Sequence, residues 1–264
     1  MTVIPASLAS LLYLAAGLTL GRRLLRGAAA AELSRRLPLG LAGAALLLHA
    51  YLLLTSLHAP DGLRLGLFNA ASLVAGAVAL VLVLAALRKP VENLGIAIFP
   101  LAALLVITAA LSPASQTVVQ APSLGLELHI LSSIVAYSLL TIAAVQAVLL
   151  AVQDRHLRNH HPGGIIRALP PLRTMETLLF EMIGAGFALL SVSLLSGLLY
   201  LEDIFAQHLI HKTVLSLAAW VVFAVLLWGR WRLGWRGKVA IRWTLTGFAT
   251  LMLAYFGSKF VLEL

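Results

Sequence analysis

The amino-acid sequence predicts an all-α membrane protein: a polytopic bundle of eight transmembrane helices with both termini on the extracytoplasmic (periplasmic) side. Three observations predict it: 61% hydrophobic residues against 11% charged, eight long apolar runs, and basic residues gathered in alternate loops. A soluble domain of 264 residues needs far more charged surface to stay in solution. The mean hydropathy of +0.99 says the same.

A helix crossing the hydrocarbon core needs about 20 apolar residues at about 1.5 Å each. Runs of that kind lie at Val3–Leu20, Leu37–Leu57, Leu65–Leu87, Leu94–Leu111, Leu126–Val152, Leu178–Leu201, Thr213–Trp228 and Ala240–Val261. The first has no basic segment before it and no A-x-A site after it, so it reads as a retained helix and not as a signal peptide. An even number of spans puts both ends on one side, and Lys and Arg in the loops choose the side. Loop 1–2 carries Arg22, Arg23, Arg26, Arg35 and Arg36; loop 3–4 carries Arg88 and Lys89. Loop 5–6 carries Arg155, Arg158, Arg167 and Arg173; loop 7–8 carries Arg230, Arg232, Arg236, Lys238 and Arg242. The opposite face holds Arg64, Lys212 and Lys259, so the tally is 16 against 3. The odd-numbered loops are therefore cytoplasmic. The chain reads as one transmembrane domain over 1–264, with four spans in 1–112 and four in 126–264.

The same distribution excludes nucleic acid as a partner of the net charge of +9, because the cations sit in short clusters between apolar runs. The partner it implies is a lipid bilayer. The absence of cysteine excludes thiol–disulfide chemistry, iron–sulfur ligation and covalent haem attachment through the chain's own thiols. No G-x-S-x-G, H-E-x-x-H, P-loop or paired-carboxylate arrangement occurs, so nothing points to a hydrolase or an ATP-driven pump. The reading is of a non-catalytic protein.

Loop 4–5, from Ser112 to Gly125, holds Pro113 and Pro122 and no charge, which predicts a non-helical segment along the surface. Loop 6–7 is short and polar, with Glu202, Asp203, His208 and His211. His156, His160 and His161 match no zinc spacing and read as a solvated loop. Glu176 and Glu181 stand near the start of span 6, where a carboxylate complements a helix N-terminus. Trp228, Trp231, Trp235 and Trp243 flank loop 7–8 among arginines and read as an interfacial belt.

An ionisable residue inside a membrane helix is costly, which makes it a candidate for function. His49 lies about 12 residues into span 2, roughly 18 Å along a core about 30 Å thick. His129 opens span 5 at its outer end and is continued by Ser133, Tyr137 and Thr141 at i+4 steps, a polar stripe that should face the bundle. Both histidines fall in the outer half of their spans, where they could border one cavity. Span 3 adds Asn69, Ser72 and Gly76 near its outer end. Neutral imidazole is the usual axial ligand of haem iron. His129 and His49 are accordingly the candidate ligands, with His211, His208, Tyr137 and Ser133 as secondary candidates.

From about Leu126 to Phe260 the chain resembles the cytochrome c assembly family, the CcsA-type and HemX-like membrane proteins. The resemblance rests on Leu128-His129-Ile130-Leu131-Ser132-Ser133-Ile134-Val135-Ala136-Tyr137 and Leu194-Leu195-Ser196-Gly197. It continues through His211-Lys212-Thr213, Trp220, Gly234-Trp235-Arg236-Gly237 and Tyr255-Phe256-Gly257. The span count and short N-terminal half are similar to the small bacterial inner-membrane branch of that family. Synthetase-type members pass haem to apocytochrome c on the outer face, and by position His129 is similar to the first of their outer haem-ligating histidines. The chain departs from them elsewhere. Where they have a tryptophan-rich stretch it has Ala206-Gln207-His208-Leu209-Ile210, and where a ligating histidine follows span 7 it has Trp228. No outer histidine follows the last helix before Leu264. The resemblance thus implies a multi-pass inner-membrane protein that binds or handles haem, taken as haem b, without being a complete cytochrome c synthetase. The alternative is a cofactor-free structural or regulatory partner of another membrane protein. A transporter is the weaker third reading, since neither repeats nor midplane ion ligands are evident.

Overall fold

The computed structural model describes residues 3–26, 35–59, 62–64, 66–112, 118–119, 124–159, 169–200 and 207–257. Among these, eight long helices follow one another: α1 (Val3–Arg26), α2 (Arg36–Leu57), α3 (Leu67–Arg88), α4 (Gly95–Leu111), α5 (Leu124–Arg158), α6 (Leu172–Tyr200), α7 (Gln207–Leu233) and α8 (Gly237–Met252). A single 3-10 turn, Glu92–Leu94, leads into α4. Seven of the eight helices are long and apolar enough to cross a membrane; α4 reaches that length with its 3-10 turn. The eighth span completes its length differently, because α8 runs on into a π turn, Leu253–Gly257.

Helices extend past the apolar runs at several ends. α5 continues six residues beyond Val152 to Arg158, and α7 occupies Gln207–Leu233 where the apolar run covers Thr213–Trp228. Arginine, glutamine and tryptophan favour helix as readily as they favour the interface, so the polar flanks stay wound outside the hydrocarbon. One departure from an all-helical chain lies in the loops expected on the outer side. His58–Ala59 (β1), Gly62–Arg64 (β2) and Val118–Val119 (β3) form a small antiparallel sheet in the order β1-β2-β3. Leu63 pairs with both His58 and Val119. Loop 4–5 is thus extended at Val118–Val119, as a charge-free, proline-flanked segment allows. Pro113, Pro122, Glu202, Asp203, His160, His161, Gly163 and Gly164 lie outside the described residues.

The chain forms two compact units, residues 1–121 with 156–170 and residues 122–155 with 171–264. In the first unit small side chains make up much of the buried faces while many large apolar ones lie outside. On α1 the buried face is Ala6, Ala9, Ser10, Tyr13, Ala16, Gly17, Leu20 and Leu24, while Ile4, Leu8, Leu11 and Leu18 are exposed. On α3 the buried face is Ala70, Ala71, Ser72, Ala75, Gly76, Val78, Ala79, Leu82 and Ala86. Leucine gains nothing by leaving lipid, so helix pairs in a bilayer are held by close backbone approach, and small residues permit it. Hydrophobicity alone therefore does not choose the inner face.

At its basic end the second unit has a built turn. Trp235 N–H donates to Gly229 O (3.1 Å), and Arg230 Nη1 donates to Trp235 O (3.2 Å). Gly234 and Gly237 have φ of +66° and +51°, which a side chain would strain. The Glu176 carboxylate accepts the Gly237 N–H at 2.8 Å and pairs with Arg236 at 3.4 Å. Glu176 therefore complements the N-terminus of α8, not that of the helix it belongs to. The tryptophans also divide. Trp228 and Trp231 are exposed, as a belt requires, but Trp235 and Trp243 pack on each other, centroids 5.5 Å apart and planes tilted by 33°.

The Trp235 ring lies where a Cβ on Gly229 would have to sit. Gly229→Ala should cost about 1–3 kcal/mol by overpacking and lower the thermal midpoint in detergent. Gly184→Ala is the matched control, since nothing lies within 4 Å of its added Cβ. It should be neutral or mildly stabilising. Equal midpoints for the two variants would remove the turn from the account of stability.

Candidate functional site

His49 stands on α2 in the middle of the first unit and is 1% exposed. Its Nδ1 meets the Tyr13 hydroxyl of α1 at 3.2 Å, and its Nε2 meets Ser72 Oγ of α3 at 2.9 Å. Each hydroxyl can donate or accept, so in a neutral imidazole one ring nitrogen donates and the other accepts, and both are engaged whichever tautomer is present. The ring lies across Gly76, whose added Cβ would fall 3.0 Å from His49 Cε1. Tyr13 meets the imidazole edge-on, centroids 6.0 Å apart, and stacks on Phe99 of α4 at 5.9 Å. One imidazole thus joins three helices by hydrogen bonds, with Phe99 behind the phenol. Beside Ser72 is a cleft of about 20 Å³, room for about one water, whose walls include Ser56, Asn69 and Val106.

The sequence names His49 as a haem ligand because of its burial. The structure gives both of its nitrogens hydroxyl partners and closes one ring face with a helix backbone. An iron ligand needs one free lone pair, which His49 does not offer in this arrangement. The polar residues expected on span 3 are placed as its partners and neighbours.

His129 is held in a different way. It lies near the start of α5, half-buried, and its Nδ1 donates to the Ser193 carbonyl of α6 at 2.8 Å. Ser133 Oγ bridges to Ser193 Oγ at 2.6 Å and back to His129 O at 2.5 Å. Ser196 Oγ donates to the same Ser193 carbonyl at 3.0 Å. With the ring proton on Nδ1 and aimed at a carbonyl, the Nε2 lone pair is left without a partner among the described residues. Metal-bound histidines are commonly set this way, the second ring N–H going to a carbonyl or carboxylate that fixes tautomer and orientation.

The secondary candidates part company. Ser133 belongs to the His129 bridge, whereas Tyr137 bonds to Met252 Sδ and packs on Phe248 (5.9 Å) and Tyr255 (6.1 Å). His211 is exposed on α7; the His208 side chain lies outside the described residues. Among the described residues no group of three His, Asp or Glu side chains is placed to hold a metal ion. Tyr13 and Ser193 are the partners that sequence reasoning missed. Each pairs across 36 to 64 positions of sequence, and no local spacing announces such a partner.

The family model described as cytochrome C assembly protein matches residues 39–264, a wider range than the motifs of the C-terminal half alone. The chain is 34% identical over 233 residues to the inner membrane protein YpjD of Escherichia coli K12, covering 87% of this chain and 88% of that one. It is 39% identical over 145 residues to an uncharacterized 28.8 kDa protein of Azospirillum brasilense, 54% of each chain. The cytochrome c biogenesis protein CcsA of Chlamydomonas reinhardtii is 26% identical over 152 residues, 57% of this chain and 42% of that protein. No solved structure matches.

If His49 pins the first unit through both nitrogens, either partner should matter. Tyr13→Phe and Ser72→Ala should each cost about 1–3 kcal/mol, because a buried ring nitrogen loses its bond. Thermal midpoints in detergent read this. The double variant should fall short of the sum of the two, since both act on one ring. Additive effects would mean the hydroxyls act independently of His49.

Proposed function

The chain belongs to the cytochrome c assembly protein family and is a multi-pass protein of the inner membrane, and from that premise we propose that it binds or handles haem through His129, short of complete cytochrome c synthesis. The observation that carries the reading is the His129 ring: Nδ1–H on the Ser193 carbonyl, Nε2 free among the described residues. Haem iron accepts such a nitrogen as an axial ligand. Ser133 and Ser193 hold that nitrogen's direction by bridging α5 to α6. Their role is positioning.

His49 enters the proposal as a structural bond and not as a second ligand, because both nitrogens are engaged. A single protein nitrogen suits a protein that receives and releases haem, since six-coordinate binding with two histidines holds iron more firmly. The residues at 206–210 and Trp228, where synthetases have tryptophans and a histidine, support the limit to handling. Haem b is the form we propose, as the chain has no cysteine for covalent attachment. The 16-to-3 distribution of cations supports both termini lying outside, which places the start of α5 at the periplasmic surface.

Protein purified in mild detergent from haem-replete cells should show a Soret band and, once reduced, the broad unresolved visible band of five-coordinate haem with one histidine ligand; sharp α and β peaks would mean a second strong axial ligand. His129→Ala should lower haem occupancy at least about tenfold, with helicity intact. His129→Gly with added imidazole should restore the band, which a folding defect would not allow. Wild-type protein that stays colourless after titration with haem would instead favour the cofactor-free partner role, tested by co-purification. Orientation is read separately: alkaline phosphatase fused after Leu264 should be active and a green fluorescent protein fused there dark. The reverse pair would invert the topology.

A further inference from the structure

The turn between α7 and α8 concentrates positive charge on a fixed backbone. Arg230, Arg232, Arg236, Lys238 and Arg242 fall within 13 residues, and no acidic residue occurs from Gln207 to Gly257. Arg232, Arg236, Lys238 and Arg242 are exposed. Lys238 and Arg242, four apart on α8, share one helix face. The acid known to face this turn is Glu176, and it is engaged by the Gly237 N–H and Arg236. The Arg232 guanidinium lies 4.8 Å above the ring of Trp231, which is 77% exposed. Trp228, one turn earlier, is 55% exposed. Exposed tryptophans at the end of a membrane span settle at headgroup depth.

We propose that this turn is a binding site for the phosphodiester headgroup of an anionic phospholipid, with Arg232, Lys238 and Arg242 as its cationic contacts. Three features of the turn point to a lipid and not to free phosphate. Trp228 and Trp231 fix the cations at the depth where headgroup phosphates are held. The bilayer presents those phosphates there continuously, with acyl chains that can lie against exposed apolar surface of α7 in the same half of the bilayer, Val221 among it. The Arg232 guanidinium, held over the Trp231 ring, has N–H groups enough for a bidentate phosphate contact. Rigidity sharpens the site. Trp235 is locked over Gly229, and Gly234 and Gly237 hold left-handed backbone, so the cations need order only their own side chains when lipid binds. The site makes no use of His129 and stands whether or not haem is bound.

The test is native mass spectrometry of the full-length protein in detergent, titrated with phosphatidylglycerol or with phosphatidylcholine, alongside thermal midpoints in the same lipids. Phosphatidylglycerol should be retained and should raise the midpoint; phosphatidylcholine should do neither. Replacing Arg232, Lys238 and Arg242 together by Gln should weaken phosphatidylglycerol retention about fivefold per cation, of order a hundredfold in all. The control replaces Arg22, Arg26 and Arg35, exposed cations of the first unit, with the same change in charge. It should leave at least one high-affinity lipid in place. Equal losses in the two triples would reduce the effect to general attraction and overturn the site. A midpoint raised as much by inorganic phosphate as by phosphatidylglycerol would overturn the lipid assignment.

Discussion

Close approach of helix backbones is the constraint on which the rest of the structure depends. A helix in hydrocarbon already satisfies its own N–H and C=O groups, and lipid is as good a solvent for leucine as a protein core is. What remains to hold helices together is contact, and contact is limited by the size of what lies between them. The chain meets that limit by setting Ala, Gly and Ser among the larger side chains of its inner faces, most densely on α1 and α3. Some glycines are used to their full extent. A Cβ on Gly186 would meet Leu140 at 2.8 Å, and one on Gly247 would meet Phe223 at 2.9 Å. Spaces this tight admit a polar side chain only with its partner already in reach. The same constraint therefore dictates where hydroxyls and imidazoles can be found and what they must touch.

The two buried or half-buried histidines show how partner geometry, and not residue type, sets chemical availability. His49 lies between two hydroxyls and across a glycine, so its proton and its lone pair are both committed. His129 meets a carbonyl, which can only accept, so its proton is committed while its lone pair has no partner among the described residues. A carbonyl in mid-helix is normally occupied by its own helix; Ser193 O serves as an additional acceptor for His129 and for Ser196. That convergence draws α5 and α6 together without any ionised group, and neutral donors and acceptors avoid the cost of burying charge.

Much of the architecture was legible in the sequence because the bilayer reduces the choice of structure. Length and hydropathy named the eight long helices, seven of which are long and apolar enough to cross a membrane. Their limits were less legible, because Gln153 to Arg158 on α5 and Arg230 to Leu233 on α7 are polar or interfacial yet remain helical. The β1-β2-β3 sheet left no trace in hydropathy, since segments of two or three residues carry no periodicity. At the candidate site, the sequence could find histidines and the stripe containing Ser133, whose i+4 spacing is local. It could not tell the committed His49 from the available His129, because that difference lies in Tyr13, Ser72 and Ser193, each brought in by packing from another helix. The role of Glu176 was half legible. A carboxylate at a helix start was visible; that it would serve the start of α8 depended on a turn whose two left-handed glycines set its path.

Glu176 and Ser193 are 17 residues apart on α6, about 26 Å along a helix and so close to the thickness of the hydrocarbon core. At one end the helix is tied to α8 through the Gly237 N–H, and at the other to α5 through His129 and Ser133. Next to Glu176, Gln146 of α5 donates to the Met175 carbonyl; nearer Ser193, Trp220 of α7 donates to Ser191 Oγ while stacking on Phe187. A helix bound at both ends has little freedom to rotate about its axis. Rotation is the motion that would carry the Ser193 carbonyl away from His129, since neighbouring positions on a helix face directions about 100° apart. The direction of the Nε2 lone pair is therefore fixed partly by bonds made near the opposite end of the same helix. The Gly-Trp-Arg-Gly turn and the histidine are separate in sequence and at opposite ends of α6, yet they are parts of one mechanical arrangement.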